Sequence, residues 1–394
     1  MKYDDEQFLA LPPSNEAVYG AAATTQGSLQ AATTEPASVR DRYFDVLRAV
    51  ALIRVVVFHM FPLAWIAMVF PAMGVMFALG GSLMARSVDR SAQDAVTGRV
   101  RRLLPALWVV GAILIPVALW AGWSGRPGWV GMLLWVLPIA PPPGPEWAEP
   151  VTGLLWYLTT YLWLVILSPA ALRLYRRARV LTAVLPLASL AALEMLPWSL
   201  NDAAGSVVTD LLTFAACWIL GFAHRDGDLQ RLPKLVVILL STVCTAVGIV
   251  WTVTHPGDDG VDLANVPLAY GVYSVGFVLL LLRLPPPMDW LDSRRLLTGA
   301  VNLLNARAVT IYLWHNVAIA LSFPLGDVVQ VWRVGDAFMM AGYFGVALVL
   351  LAGFVTVLGW VEDVAARRRV RLLPLSPSAT RPRRVAPAWS GPIP

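Results

Sequence analysis

Ten long apolar segments dominate the chain and leave few folds open to it. They run over about 46–66, 69–86, 103–122, 154–173, 180–197, 207–223, 234–254, 263–283, 301–323 and 337–360. Most reach or approach the roughly 20 residues a helix needs to cross the hydrocarbon core. In lipid every backbone N–H and C=O must be bonded within its own segment, so such runs become helices. Composition agrees: 58% of residues are hydrophobic and 14% are charged, whereas soluble domains carry about 25% charge. The 17 tryptophans suit helices ending at the membrane–water interface. The sequence therefore predicts an all-α, polytopic integral membrane protein with about ten transmembrane helices. A shorter apolar run, 129–140, ends in Pro141, Pro142 and Pro143. It is too brief to span and reads as re-entrant or interfacial, with 141–152 as an ordered external loop or cap.

Loop charge supports the count. Arginines and one lysine gather after segments two, four, six, eight and ten: Arg86 to Arg102, Arg173 to Arg179, Arg225 to Lys234, Arg283 to Arg295 and Arg367 to Arg371. The alternate loops hold Arg126 and Arg333 beside Glu146, Glu149, Asp202, Asp258, Asp259, Asp262, Asp327 and Asp336. The positive-inside rule then puts both termini in the cytoplasm. Residues 1–40 are rich in Ala, Thr, Ser, Gly and Gln and are expected to form a disordered cytoplasmic tail. They begin with the acidic MKYDDEQ and carry no apolar core, unlike a signal peptide. Residues 41–365 make one membrane domain, and 366–394 a basic, Pro-rich disordered cytoplasmic tail suited to anionic lipid. The +5 net charge sits in loops and not on one face, which argues against nucleic acid as a partner. Cys217 and Cys244 show no metal or disulfide spacing and read as packing residues.

Within FDVLRAVALIRVVVFHMF (Phe44 to Phe61) an aspartate, two arginines and a histidine interrupt the first apolar segment. Such groups are expensive in lipid and mark function by default. Arg48 and His59 are 11 residues apart, which is close to three full turns, so both project from one face about 16 Å apart. Asp45 lies one turn before Arg48, close enough to orient it. Arg54 points about 140° away from His59. One face thus carries an anion-binding end and a titratable base. A charged helix end and a structural histidine is the plainer alternative.

Four further features stand out. Phe77 to Ser82 is a small-residue patch, fit for close helix packing or a substrate passage. Arg99 and Arg102 share a face if their segment is helical, and Pro105 is expected in the first helical turn. An arginine pair there suits phosphates, or is ordinary positive-inside charge. Trp156, Tyr157 and Tyr161 open the fourth segment, where an aromatic belt explains them equally well. Arg307 precedes Tyr312, Trp314 and His315, a second intramembrane histidine.

Taken in order, these residues resemble the membrane acyltransferase-3 family. Its Arg-x10-His matches Arg48 to His59, and its Phe-x-Leu-Ser-Gly-Phe is similar to Phe77 to Ser82. Its Arg-x-x-Arg-x-x-Pro matches Arg99, Arg102 and Pro105. Trp156 to Leu158 and Tyr312 to His315 resemble its Trp-x-Leu and Tyr-Leu-Trp-His segments. Two departures stand out: Gly80 occupies the usual serine position with Ser82 at that of the phenylalanine, and Tyr161 replaces a glutamate often found after Trp-x-Leu. Both bear on acceptor choice. No SGNH-type hydrolase domain is expected after the last segment.

The resemblance implies transfer of an acyl group, by default acetyl, from cytoplasmic acyl-CoA to a carbohydrate hydroxyl at a bacterial plasma membrane. Arg48, Arg99 and Arg102 would hold the coenzyme A phosphates, and His59 would act as general base or transiently carry the acyl group. Trp156, Tyr161, Tyr312 and His315 would line the acceptor side or stabilise the oxyanion. No permanently bound cofactor or metal is implied, since His59, His224, His255 and His315 form no evident ligand cluster. An Ala- and Arg-rich, Lys-poor composition fits a GC-rich bacterial genome. Two rival readings are a proton-coupled or sugar transporter using the same Arg, Asp and His, and a structural membrane subunit.

Overall fold

The computed structural model describes residues 41–195, 203–256 and 260–372. Two compact units divide the chain after Arg42. Asp41 and Arg42 are the described residues of the first unit, and the helical bundle belongs to the second. The expected N-terminal tail, most of the C-terminal tail, Asp202, Asp258 and Asp259 lie outside the described residues.

Ten long helices succeed one another: α1 (Arg42–Met60), α2 (Ala72–Val88), α3 (Ala92–Trp120), α4 (Leu155–Arg177), α5 (Arg179–Met195), α6 (Ala203–Arg225), α7 (Lys234–Thr254), α8 (Pro267–Arg283), α9 (Ala308–Val328) and α10 (Asp336–Leu358). No β-strand occurs among the described residues. Each of the ten apolar segments falls mainly on one of these helices, but residues 301–306 of the ninth belong to a separate helix, Arg295–Ala306, which Arg307 divides from α9. Seven stretches are long and apolar enough to cross a membrane: Ala64–Val88, which joins a short helix to α2, then α3, α4, Ala204–Arg225 of α6, α7, α9 and α10. The other three are α5 and α8, each 17 residues long, and α1, whose 19 residues include the charged groups.

Local chemistry sets the helix ends. α1 stops at Met60 because Pro62 disfavours helical backbone at the residue before it and has no N–H. The first segment is therefore shorter than 46–66, and a separate helix, Ala64–Val69, follows. Ser91 caps α3, its Oγ accepting a hydrogen bond from the Asp94 N–H at 3.3 Å. That cap corrects an expectation. The helix starts at Ala92, so Pro105 lies well inside it and not in its first turn. Arg99 and Arg102 sit one turn apart on continuous helix, on a common face.

Lipid solvates apolar side chains as well as protein does, so association depends on close packing. The stretch Ala64–Val88 is the central one, with 67% of its apolar window buried, against 22% for α7 and for α10. α2 and α6 meet in backbone contact: a Cβ on Gly81 would strike the Trp218 carbonyl, and one on Gly221 the Ala78 carbonyl. Between α3 and α4 the chain makes only short turns of helix, over Trp129–Trp135 and Glu146–Thr152. The run 129–140 does not span. Indole N–H groups fasten it: Trp108 donates to Val136 O at 3.0 Å, Trp163 to Ile139 O at 2.9 Å and Trp135 to Pro143 O at 3.0 Å. Tyr312 and Asn316 of α9 donate to Leu154 O and Pro150 O, at 2.6 and 2.5 Å. The segment 141–152 is thus ordered and lies against the turn of α9 that carries His315.

Candidate active site

α1 and α9 bring two histidines together. His59 Nδ1 lies 3.3 Å from His315 Nε2, and the rings meet edge to face with centroids 4.9 Å apart. At the other end of the same contact, Arg48 Nη1 donates to Asn305 Oδ1 at 3.3 Å. Arg48 precedes His59 by about as many residues as Asn305 precedes His315, so the two stretches run side by side in one direction. Arg48 and His59 therefore face successive helices of one stretch of chain, Asn305 on Arg295–Ala306 and His315 on α9. Asn305 also donates to the backbone carbonyl of Asp45 at 2.8 Å. Sequence reading missed Asn305, which is one of several polar residues, with Asn302 and Arg307, at the start of the ninth apolar segment.

Hydrogen-bond partners fix the tautomers. His315 Nδ1 faces two carbonyls, Tyr312 O at 2.7 Å and Ile311 O at 3.2 Å. Carbonyls only accept, so Nδ1 carries the proton and, in a neutral ring, Nε2 keeps its lone pair. His59 Nδ1 faces that lone pair and the Val55 carbonyl at 2.8 Å. It must therefore carry a proton too, which leaves His59 Nε2 as the unprotonated nitrogen. His315 is fully buried and His59 half-buried. The buried ring thus orients the accessible one, the arrangement by which a second group presents a general base.

Aromatic rings continue from this pair. Tyr312 lies 5.9 Å from His315 between centroids, Tyr157 5.0 Å from Tyr312, Tyr161 6.1 Å and Trp156 6.2 Å from Tyr157. Trp156, Tyr161, Tyr312 and His315 thus belong to one wall ending at His59. Tyr157 is its hub. At its lower end Arg48 is within electrostatic reach of Tyr157, and Arg102 of Tyr161. Arg99 donates to Ser87 Oγ at 3.3 Å. Arg48 and Arg102 thus lie near the tyrosines of a wall of touching rings whose other end is His59.

The two departures from the family pattern turn out to be neighbours. A Cβ on Gly80 would come within 2.7 Å of the Trp218 ring and 3.3 Å of the Tyr161 ring. The space of the missing serine side chain is taken first by the Trp218 ring, with Tyr161, which replaces the glutamate, beside it. Ser82 instead pairs with His224, Oγ to Nδ1 at 3.2 Å. His255 stacks on Trp251 with centroids 4.2 Å apart. Arg307 is fully buried and ion-paired with Asp363 at 2.8 Å, so it anchors the start of α9. Sequence reading also passed over Asp210 on α6, within electrostatic reach of Tyr312. The rule that flagged Arg48 and His59 would have found it in segment 207–223.

Fold and site together define a polytopic helical membrane protein with a buried, oriented histidine pair at one end of an aromatic path and arginines at the other. Residues 41–361 match the acyltransferase-3 family, described as an acyltransferase domain. The match covers well over half of the chain, which belongs to this family and is a membrane acyltransferase. Comparisons with curated proteins and with solved structures returned no match.

Proposed function

We propose that this acyltransferase moves an acyl group, acetyl by default, from cytoplasmic acyl-CoA to a hydroxyl of a carbohydrate-containing acceptor of the bacterial cell envelope or of a glycosylated metabolite. One observation carries the reading. A run of touching aromatic rings leads from a histidine whose Nε2 is unprotonated to tyrosines beside arginines that lack a carboxylate partner among the described residues, and Arg48 precedes His59 by roughly 16 Å of helix, a length that a pantetheine arm covers. Arg48, Arg99 and Arg102 hold the phosphates by charge-assisted hydrogen bonds. The arm lies along the tyrosines and delivers the thioester to His59. His59 Nε2 takes the acceptor's hydroxyl proton as the oxygen attacks the thioester carbonyl. The imidazolium that results shares its Nδ1 proton with Val55 O and His315 Nε2. Collapse of the tetrahedral intermediate expels the coenzyme A thiolate, which the imidazolium protonates. The Tyr312 hydroxyl proton is committed to Leu154 O, so Tyr161 is the freer candidate for the oxyanion. Asn305, bonded both to the Arg48 guanidinium and to the backbone carbonyl of Asp45, orients Arg48. Ten spans with both termini cytoplasmic put the arginines on the donor side.

The test is transfer of label. Membranes holding the protein are given acetyl-CoA labelled in the acetyl group and an envelope glycan extract. The expected product is an alkali-labile ester on carbohydrate. Label found only in free acetate, or none released, overturns the proposal.

A further inference from the structure

The chain after α10 folds back onto the bundle. Arg307 donates Nη1 to Gly359 O at 2.8 Å and Nη2 to Asp363 Oδ2 at 2.8 Å and to Arg371 O. The Arg371 N–H donates to Asp363 Oδ2 at 3.0 Å, and that of Arg368 to Asp363 O at 2.7 Å. Glu362 accepts from the N–H and hydroxyl of Thr310 in the first turn of α9, at 2.7 and 2.5 Å. The helix Trp360–Ala365 packs against α3. Arg367, with φ at +54°, turns the chain sharply before Arg368. The backbone of Arg368 is thereby fixed, and its guanidinium comes within electrostatic reach of Arg102, as do Arg99 and Arg101.

Charge pairing at this end of the bundle is uneven. Arg176 pairs with Asp89 and Asp226, and Arg179 and Arg231 pair with Asp228. Arg48, Arg99, Arg101, Arg102 and Arg368 have no carboxylate partner among the described residues. Guanidinium groups gathered without counter-charge repel one another, and their fork of donors matches phosphate. A buried polar clasp that adds one more arginine to such a group makes sense if a multiply charged anion occupies it.

We propose that Arg368 is a further ligand, beside Arg48, Arg99 and Arg102, for the phosphates of the acyl donor, and that the clasp of Arg307 and Asp363 holds it in place. The proposal rests on the acyl-CoA reading above. It makes the C-terminal segment a wall of the donor site. Phosphate chemistry is shared with anionic lipid headgroups, and the test separates the two.

Full-length protein is placed in nanodiscs of phosphatidylcholine alone or with phosphatidylglycerol. Thiol release from acetyl-CoA is followed with an envelope glycan extract as acceptor, for wild type, R368A and R368K. The expected result, in both lipids, is a KM for acetyl-CoA raised about tenfold by R368A with kcat within about twofold. The inhibition constant of adenosine 3′,5′-bisphosphate should rise by a similar factor, and R368K should recover most of the loss. Unchanged KM and inhibition constant overturn the proposal. So does a fall in kcat alone, which marks a structural role, or an effect confined to phosphatidylglycerol, which marks a lipid site. If wild type neither binds acetyl-CoA nor releases thiol, the acyl-CoA reading itself fails and this proposal with it.

Discussion

In the proposed mechanism His59 serves as a base through Nε2 because its Nδ1 is occupied. His315 supplies the acceptor that keeps a proton there, through an imidazole held between two carbonyls. His315→Ala removes that partner and leaves the Val55 carbonyl alone to orient the ring. The expected result is a fall in kcat of about ten- to a hundredfold with little change in the KM for acetyl-CoA, read by steady-state kinetics. Arg48→Ala should do the reverse, raising KM about tenfold or more and sparing kcat, because a charge-assisted phosphate contact is of order 1.5–3 kcal/mol. The outlying residues of this pair's surroundings were the least legible. Arg48 and His59 announced themselves as charges in an apolar run, and their shared face followed from helical spacing. Asn305 and Tyr157 did not, because polar and aromatic residues at segment ends have many ordinary explanations, and only the approach of Arg295–Ala306 to α1 and of α9 to α4 sets them beside Arg48 and Tyr312.

At the scale of elements, apolar runs located every long helix, since hydrocarbon solvent makes helix formation nearly obligatory. Ends were less legible, because caps lie outside the apolar pattern: Ser91 starts α3 well before its apolar run and moves Pro105 to the interior. Helix crossings were hidden too. The glycines of α2 suggested close approach, yet nothing in the sequence paired Gly81 with Gly221 of α6. Gly221→Val should lower the melting temperature in detergent, since its added carbons meet the Ala78 carbonyl. Arg307→Ala should be worse, costing about 3–5 kcal/mol by leaving Asp363 buried and unpaired. The turn after α6 adds a pH term. Arg176 holds the Asp226 carboxyl below the usual carboxylate range, outside the spans. The lowered folded-state value means that this stabilisation is present at neutral pH and is lost as pH falls through that value. Arg176 is 42% exposed, so the contribution is below about 1 kcal/mol. Asp226→Asn should flatten that part of the acid side of the stability curve.

For the whole molecule, the family match and the fold make a membrane acyltransferase, and the direction of transfer depends on topology. If ten helices span with both termini inside, a membrane-impermeant thiol reagent added to intact cells should miss single cysteines placed at Arg101 and Arg368 and reach one placed at Trp129. The measurement that bears most directly on the central claim is acetyl-CoA thiol release by purified protein, wild type against His59→Ala, with an envelope glycan extract. A general base at His59 predicts a loss of about 10²–10⁴-fold in kcat with acetyl-CoA still bound. A His59→Ala protein that turns over like wild type would contradict it.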